Sequence, residues 1–131
     1  MNADAQVPPP LHELEAEVME AVWNSDQDEI TVREIMDALN KKTKHPRAYT
    51  TYMTIMRRLD TKGLLTRRRE GKTDIYRPVY TREEYADLRA QAGVSQLVEQ
   101  YGEVALSHFA RQMAELDPGR RRQLQRLARK S

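Results

Sequence analysis

Apolar residues recur at steps of three and four in the first forty positions, in two stripes that the polar run NSDQDE separates. Such spacing places the apolar side chains on one face of a helix, and it predicts helices over about residues 11–24 and 32–41. Thr31 stands just before the second stripe and Glu34 follows three positions later. This is the spacing of an N-terminal capping box, so the second helix is expected to start there.

The run RAYTTYMTIMRRL predicts a third helix, over about residues 48–62, with two chemically different sides. Its apolar stripe is predicted to face the core and consists of Tyr49, Tyr52, Ile55, Met56 and Leu59. Trp23 is also expected in the core, where the first helix crosses the third. Gly63 is expected to end the third helix, because glycine readily adopts the left-handed conformation at helix C-termini. The opposite faces carry threonine and arginine at Thr50, Thr51, Thr54, Arg57, Arg58 and Thr61.

After Gly63 the pattern changes to that of strands. LLTRRR and TDIYRPVY predict two strands joined by a turn at Gly71. Three helices followed by a basic β-hairpin are the order of a winged helix-turn-helix. The predicted fold class is mainly α, with this winged helix-turn-helix in residues 1–80, including a flexible leader at 1–9, and a helical dimerisation domain in 81–131.

The last fifty residues are predicted to be helical. They open with the capping-box sequence TREE, and Asp117 and Pro118 suit the start of a final helix. Their apolar residues are too few to close a separate core, so we expect a second copy of the chain to cover them. The predicted dimerisation residues are Tyr85, Leu88, Val94, Leu97, Val98, Tyr101, Val104, Leu106, Phe109, Met113, Leu124 and Leu127.

Composition narrows the class of function. The 131 residues include no cysteine, which excludes disulfides, zinc–thiolate sites and cysteine nucleophiles. His12, His45 and His108 lie far apart, and no glycine-rich nucleotide loop is present. We therefore expect no catalysis, metal or cofactor. No apolar run approaches the roughly 20 residues of a membrane span, and the first residues do not resemble a signal peptide. A cytoplasmic location is expected.

The net charge of +2 conceals a partition along the chain. Residues 1–40 carry a net charge of −9, whereas residues 41–80 carry +9. A block this basic is a candidate binding surface for a polyanion. An ordinary solvated face is the alternative that charge alone leaves open.

Threonine and arginine on the third helix favour duplex DNA as that polyanion. The major groove admits one α-helix, and threonine offers a hydroxyl for bases or phosphates and a methyl for thymine. Because threonine is a mediocre helix former, four in one helix suggest another use. The predicted DNA-binding residues are Arg47, Thr50, Thr51, Thr54, Arg57, Arg58, Arg67, Arg68, Arg69 and Lys72. The last four lie in the hairpin and are expected to contact the DNA backbone or the minor groove.

Three alternatives remain at these positions. The threonines can be tolerated on a solvent face. Arg57 or Arg58 can pair with a nearby carboxylate. The tyrosines of the third helix can stack on bases, as in single-strand binders, although their spacing favours the core.

Two stretches carry a resemblance to a known family. ELEAEVMEAVW in the first helix and AYTTYMTIMRRLDTKGLL in the third resemble the penicillinase-repressor family, BlaI/MecI, and in particular its actinobacterial, mycobacterial members. The resemblance covers residues 8–131, and the second stretch is the more specific.

The resemblance implies a dimeric winged-helix repressor of double-stranded palindromic operators, placed before β-lactamase genes and its own operon. In the family the residues matching Thr50, Thr51 and Thr54 face the operator, and the wing touches the DNA backbone. Derepression follows proteolysis, which a membrane sensor metalloprotease of the BlaR type triggers on detecting a β-lactam. No small-molecule effector or cofactor is needed.

The cleavage region departs from the family. Staphylococcal relatives are cut at an Asn-Phe bond in the dimerisation helices, whereas the comparable stretch here reads LSHFAR. The resemblance therefore places the cleavage region at Ser107, His108 and Phe109, unless the cut falls elsewhere. Phe109 is also suited to a dimer core, and a cut there would destroy the dimer.

Two rival functions share the fold. A winged-helix repressor that a small-molecule ligand releases from DNA would keep a pocket between its two domains, and drug-induced release would identify it. A winged helix used for protein contacts, or a sequence-blind architectural protein, would not distinguish an operator from a random duplex.

Overall fold

The computed structural model describes residues 7–130 of the chain and is mainly helical. The elements follow in the order α1 (Glu13–Asn24), β1 (Ile30–Thr31), α2 (Val32–Asn40), α3 (Tyr49–Thr61), β2 (Leu65–Glu70), β3 (Thr73–Pro78), α4 (Arg82–Tyr101), α5 (Glu103–Ala114) and α6 (Pro118–Lys130). Three helices and a β-hairpin therefore precede a helical C-terminal part. The predicted winged-helix fold class is confirmed.

One buried cluster of apolar side chains joins the first three helices to the sheet. Each helix contributes residues at the predicted helical spacing, and the hairpin adds Leu65 and Tyr76. The members with no exposed surface are Val18, Met19, Ile35, Tyr52, Met56, Leu59, Leu64 and Tyr76. Because this core is continuous, the packing of α3 fixes which of its faces points outward.

A short strand that the pattern of residues does not predict completes the sheet. The strand order is β1-β3-β2, and β1 pairs antiparallel with β3, with Ile30 opposite Tyr76. Two residues are too few to show an alternating pattern, and their partners lie more than forty positions away. Thr31 also caps α2 as predicted, since its Oγ1 accepts the Glu34 amide at 3.2 Å.

The end of α3 follows the prediction made from Gly63. Gly63 has a φ of 84°, its amide donates to the Asp60 carbonyl at 3.0 Å, and the Leu64 amide donates to the Leu59 carbonyl at 2.9 Å. These are the two hydrogen bonds of a Schellman motif, and Leu59 and Leu64 are both buried, as such ends favour. The chain therefore turns sharply from α3 into the hairpin.

The chain divides into two compact units, and the boundary lies between Ala90 and Gln91, inside α4. The start of α4 belongs to the first unit because Tyr85 packs on Trp23, with ring centroids 5.6 Å apart. Trp23 also donates from Nε1 to the Tyr80 carbonyl at 2.9 Å. Trp23 is thus half-buried at the edge of the core. The partners named above are Tyr80 and Tyr85, whereas the sequence predicted that Trp23 packs where the first helix crosses the third.

The leader differs in part from its prediction. Residues 1–6 lie outside the described part of the chain, but Pro8 is buried and Pro9 is half-buried. The Pro8 carbonyl accepts from Arg89 Nη1 at 3.2 Å, and the Pro9 carbonyl accepts from the Tyr85 hydroxyl at 3.1 Å. These two prolines are therefore fixed against α4 rather than flexible.

The C-terminal unit begins inside α4 and continues through α5 and α6. Asp117 caps α6 as predicted, since its Oδ1 accepts the Arg120 amide at 2.8 Å. Between residues 91 and 130, only Ala105 is buried. This unit has therefore almost no core of its own. Within residues 7–130, no helix is long and apolar enough to cross a membrane.

A buried ion pair joins α1 to the end of α3. Glu15 has no exposed surface, and its Oε1 accepts from Lys62 Nζ at 2.8 Å and from the His12 amide at 2.9 Å. Burial alone would raise the pKa of Glu15, but these two hydrogen bonds and the charge of Lys62 hold it below its usual value. The carboxylate is therefore ionised inside the core.

Replacing Lys62 by methionine is expected to destabilise the fold by about 3–5 kcal/mol, because it leaves a buried carboxylate without its partner. Urea unfolding at neutral pH measures the change. Lys72→Met, at the exposed hairpin tip, is the matched control and should shift stability by less than about 0.5 kcal/mol. A loss below about 1 kcal/mol for Lys62→Met would contradict a stabilising pair.

The same pair predicts a pH dependence. Because the folded pKa of Glu15 lies below the unfolded value of about 4.3, its contribution is complete above the unfolded value and is lost as the pH falls from there through the folded pKa. The difference in unfolding free energy between the wild type and Glu15→Gln should therefore shrink below about pH 4.3. A constant difference down to about pH 3 would refute this linkage.

Candidate nucleic-acid interface

The outward face of α3 is a stripe of threonine and arginine. Thr50, Thr54, Arg57 and Thr61 follow at steps of four, three and four residues, and all four are exposed. They lie on the side opposite the buried stripe, because a helix repeats every 3.6 residues. Thr51 is half-buried at the edge of this face. Thr61 Oγ1 donates to the Arg57 carbonyl one turn earlier, at 3.1 Å.

Tyr49 is not part of the core, which corrects the prediction. Its side chain is 43% exposed at the start of α3, and the Arg33 guanidinium lies 6.0 Å from its ring centroid. Tyr52, in contrast, is fully buried. Tyr49 is the first residue of α3, and its ring lies beside Arg33 of α2 rather than in the buried cluster.

Asn40 fixes the turn between α2 and α3. Its Nδ2 donates to the Arg47 carbonyl at 3.0 Å, and its Oδ1 accepts the Arg47 amide at 3.1 Å and the Tyr52 hydroxyl at 2.7 Å. One side chain at the end of α2 therefore holds both the entrance of α3 and its first buried tyrosine. The sequence pattern does not identify Asn40, since its partners lie seven and twelve positions ahead.

Arg68 in the hairpin is tied to the sheet. Its guanidinium donates to both oxygens of Glu29, at 2.8 and 3.2 Å, and to Glu70 at 2.9 Å. The hydrogen bond from Arg68 keeps the pKa of Glu29 below its usual value, and the two glutamates raise that of Arg68. Through these short contacts Arg68 holds the segment before β1 against β2.

A second cluster joins α3 to the hairpin. Asp74 Oδ2 lies 3.5 Å from Arg57 Nη2 and 3.5 Å from Arg67 Nη1, while Arg67 Nε lies 3.5 Å from Asp60 Oδ2. Burial and, next, the charge of Asp74 raise the pKa of the neighbouring Tyr76. Arg57 therefore does pair with a carboxylate, but with one in the hairpin rather than in α2 or α3.

The other predicted cations reach solvent. Within residues 7–130, no ion pair is found for Arg58, Arg69 or Lys72, and all three are exposed. Arg47 makes a contact of 3.9 Å with Glu17, at the limit of an ion pair. The structure thus places the predicted residues on α3, at its entrance and on the hairpin, with only some of the arginines unpaired.

A second candidate site is the apolar surface of the C-terminal unit. Eight of the predicted dimerisation residues are exposed, namely Val94, Leu97, Tyr101, Val104, Leu106, Met113, Leu124 and Leu127. Leu88, Val98 and Phe109 are half-buried. Tyr85 is occupied inside the first unit by Trp23 and the Pro9 carbonyl, so its prediction as a dimer residue loses its support. These exposed apolar side chains make the unit a candidate interaction surface.

The predicted cleavage region lies in the middle of α5. Ser107 and His108 are exposed and Phe109 is half-buried. The backbone there is helical, so cleavage at this position would require local opening of the helix.

An open groove of about 720 Å³ lies between α1 and α2. Its lining includes four carboxylates: Glu17, Glu20, Asp26 and Glu34. The groove lies within the first unit and is not the pocket between two domains that the ligand-released repressor predicts.

Asn40→Ala is expected to destabilise the fold by about 1–3 kcal/mol, because the buried Tyr52 hydroxyl loses its acceptor. Urea unfolding measures the loss. The control is a double-mutant cycle with Tyr52→Phe, in which Asn40→Ala should cost less because no hydroxyl is left unpaired. Equal costs in both backgrounds would show that the hydrogen bond between Tyr52 and Asn40 does not contribute to stability.

Comparison with known proteins identifies the family. The family model described as penicillinase repressor matches residues 11–130. The chain is 33% identical over 122 residues to the transcriptional regulator BlaI of Mycobacterium tuberculosis, strains CDC 1551 and H37Rv, covering 83% of this chain and 86% of that protein.

Two solved structures are similar over 60% of this chain and 90% of theirs, each at 28% identity. One is the DNA-binding domain of the repressor BlaI in solution, with a TM-score of 0.49. The other is the monomeric form of Bacillus licheniformis BlaI in complex with the blaP half-operator, with a TM-score of 0.47. The match along residues 11–130 and the mycobacterial relative show that the chain belongs to the penicillinase repressor family of DNA-binding transcriptional regulators, which are not enzymes.

Proposed function

We propose that the chain is a cytoplasmic, dimeric repressor that binds palindromic operators before β-lactamase genes and its own operon. Proteolysis in the C-terminal unit, after a membrane sensor metalloprotease detects a β-lactam, ends repression. The outward stripe of Thr50, Thr54 and Arg57 on α3 carries this proposal. It presents base-reading side chains on the face that packing leaves free, in a family of repressors.

α3 reads the bases and the hairpin positions the protein on the duplex. Thr50 and Thr54 lie at the centre of the outward face, so they approach base edges in the major groove, and Thr51 at its edge suits a phosphate. Arg58, Arg69 and Lys72 are exposed and suit phosphates, which fix the register without reading sequence.

The C-terminal unit forms the dimer. With Ala105 as its one buried residue between positions 91 and 130, it cannot hold itself together by its own core. The stripe of Val94, Leu97 and Tyr101 on α4 supplies apolar surface for the partner copy. Two DNA-binding units then read two half-sites of a palindrome.

Inactivation acts on the same unit. The segment Ser107–Phe109 lies inside α5, so a cut there divides a helix of the dimer. Each chain would keep its N-terminal unit but lose the partner that gives the second half-site. Affinity for the whole palindrome then falls to that of a single half-site.

A binding titration tests this function. The probes are a palindromic duplex from the β-lactamase promoter and a scrambled duplex of the same composition, each at two salt concentrations, with and without a β-lactam. We expect preference for the palindrome, two chains per duplex and no effect of the drug. Equal binding to both duplexes would refute the function, and drug-induced release would favour the ligand-sensing repressor.

Thr54→Ala is expected to weaken binding to the palindrome about tenfold, or ~1.4 kcal/mol, with little change for the scrambled duplex, because base contacts carry the sequence information. Fluorescence anisotropy with both duplexes measures this. Thr66→Ala, an exposed threonine on β2, is the matched control. Lys72→Ala should instead weaken both duplexes alike and reduce the salt slope by about one. Equal losses for Thr54→Ala on both duplexes would exclude base reading.

Leu97→Asp is expected to convert the dimer to a monomer, because a charge without a partner is costly in an apolar interface. Sedimentation velocity measures the change. Gln96→Asp places the same charge one position away on α4 and should stay dimeric. A Leu97→Asp variant that remains dimeric would show that this face of α4 is not the interface.

A further inference from the structure

We propose that Gly93 is the point at which α4 bends, and that this bend sets the range of half-site spacings that one dimer accepts. The first turns of α4 are held against the first unit as far as Arg89, so the bend falls beyond that residue. The inference rests on the proposed function, because it concerns how the two DNA-binding units of a dimer reach the two halves of an operator.

The beginning of α4 is anchored by side chains at positions 82, 85 and 89, which lie on one face of the helix. The Arg82 guanidinium donates to both carboxylate oxygens of Glu20 in α1, at 3.2 and 2.8 Å. One turn later, the ring of Tyr85 packs on that of Trp23, with centroids 5.6 Å apart. Two consecutive points of α4 are thus held to α1.

The leader adds the anchor that lies furthest along α4. Arg89 Nη1 donates to the Pro8 carbonyl at 3.2 Å, and the Tyr85 hydroxyl donates to the Pro9 carbonyl at 3.1 Å. Proline has a fixed φ, so this segment loses little conformational freedom when it is held there. The leader therefore extends the anchored part of α4 to residues 82–89.

The anchors end where the second unit begins. The boundary between the units lies between Ala90 and Gln91, immediately after Arg89, while α4 continues as one helix to Tyr101. A single helix therefore connects a part that is fixed to the first unit with a part that belongs to the second. Any bend between the two parts has to occur just after the boundary, and Gly93 is the third residue beyond it.

Neither packing nor backbone conformation requires a glycine at position 93. A Cβ at Gly93 would have no atom within 4 Å in the described part of the chain, apart from the backbone of its own helix. Its φ is not positive either. A glycine makes the helical state about fivefold less favourable than an alanine does, or ~1 kcal/mol. Gly93 is therefore a local weakness in α4, at the place where the anchors stop.

A bend at Gly93 would change the separation that the two DNA-binding units can span. In a dimer held together by the C-terminal units, α4 connects each DNA-binding unit to the interface. Two half-sites are bound at once only if the connections reach both of them. A straight α4 suits one spacing, whereas opening the helix locally at Gly93 lets the dimer reach neighbouring spacings. The glycine makes that opening more frequent and so broadens the range of operators.

Gly93→Ala tests this inference, because alanine fits the site and strengthens the helix. The probes are palindromic duplexes whose two half-sites are moved apart one base pair at a time. We expect affinity at spacings away from the best one to fall about fivefold relative to the best. Anisotropy titrations measure this spacing profile. Amide hydrogen exchange in residues 91–97 should also become about fivefold slower.

Two double variants return a glycine to the Gly93→Ala protein at exposed positions of the same helix. Adding Ala90→Gly, just beyond the last anchor, should restore the wild-type spacing profile. Adding Ala86→Gly, between Tyr85 and Arg89, should leave the profile narrow because the anchors hold the helix on both sides. A general change in helix stability would affect both double variants alike.

The outcomes separate this inference from the proposed function. If the wild type binds palindromic and scrambled duplexes equally, the proposed function fails, and this inference fails with it. If the wild type prefers the palindrome but Gly93→Ala keeps the wild-type spacing profile, the inference is wrong and the repressor stands, even where amide exchange has slowed. A monomeric Gly93→Ala protein in sedimentation velocity would also overturn it, since the glycine would then serve close contact between two copies.

Discussion

The burial of one stripe of α3 determines what the rest of the N-terminal unit can do. Tyr52, Met56 and Leu59 have no exposed surface, so rotation of the helix about its axis would expose large apolar side chains. The opposite stripe, with Thr50, Thr54 and Arg57, is outward for the same reason. The contacts of Asn40 at one end of α3, and of Lys62 at the other, then fix the helix along its length.

Local patterns in the sequence predicted the elements well, because most of them obey rules that act over a few residues. The helical stripes, the capping boxes at Thr31 and Thr81, the glycine at the end of α3 and the hairpin all follow from neighbours in the chain. The outward threonines were predictable too, since a helix with a buried stripe must expose the rest.

The features that the sequence did not reveal depend on distant partners. β1 exists because Ile30 meets Tyr76, and Trp23 ends beside Tyr80 and Tyr85. The contacts of Asp74 join it to arginines on α3 and β2. One signal was available: Asp60, Glu70 and Asp74 are the only acidic residues in the basic block 41–80, and each contacts an arginine. Isolated opposite charges in such a block can therefore identify its internal pairings.

Because Asn40 makes three hydrogen bonds across the turn, the position of α3 does not depend on the length of the loop before it. Asn40 joins the last residue of α2 directly to Arg47 and Tyr52, so the segment from Lys41 to Pro46 bridges two points whose positions are already set. Loop closure depends only weakly on length when its ends are fixed. Insertions in this segment would therefore be absorbed as a local bulge, and the angle between α2 and α3 would stay unchanged.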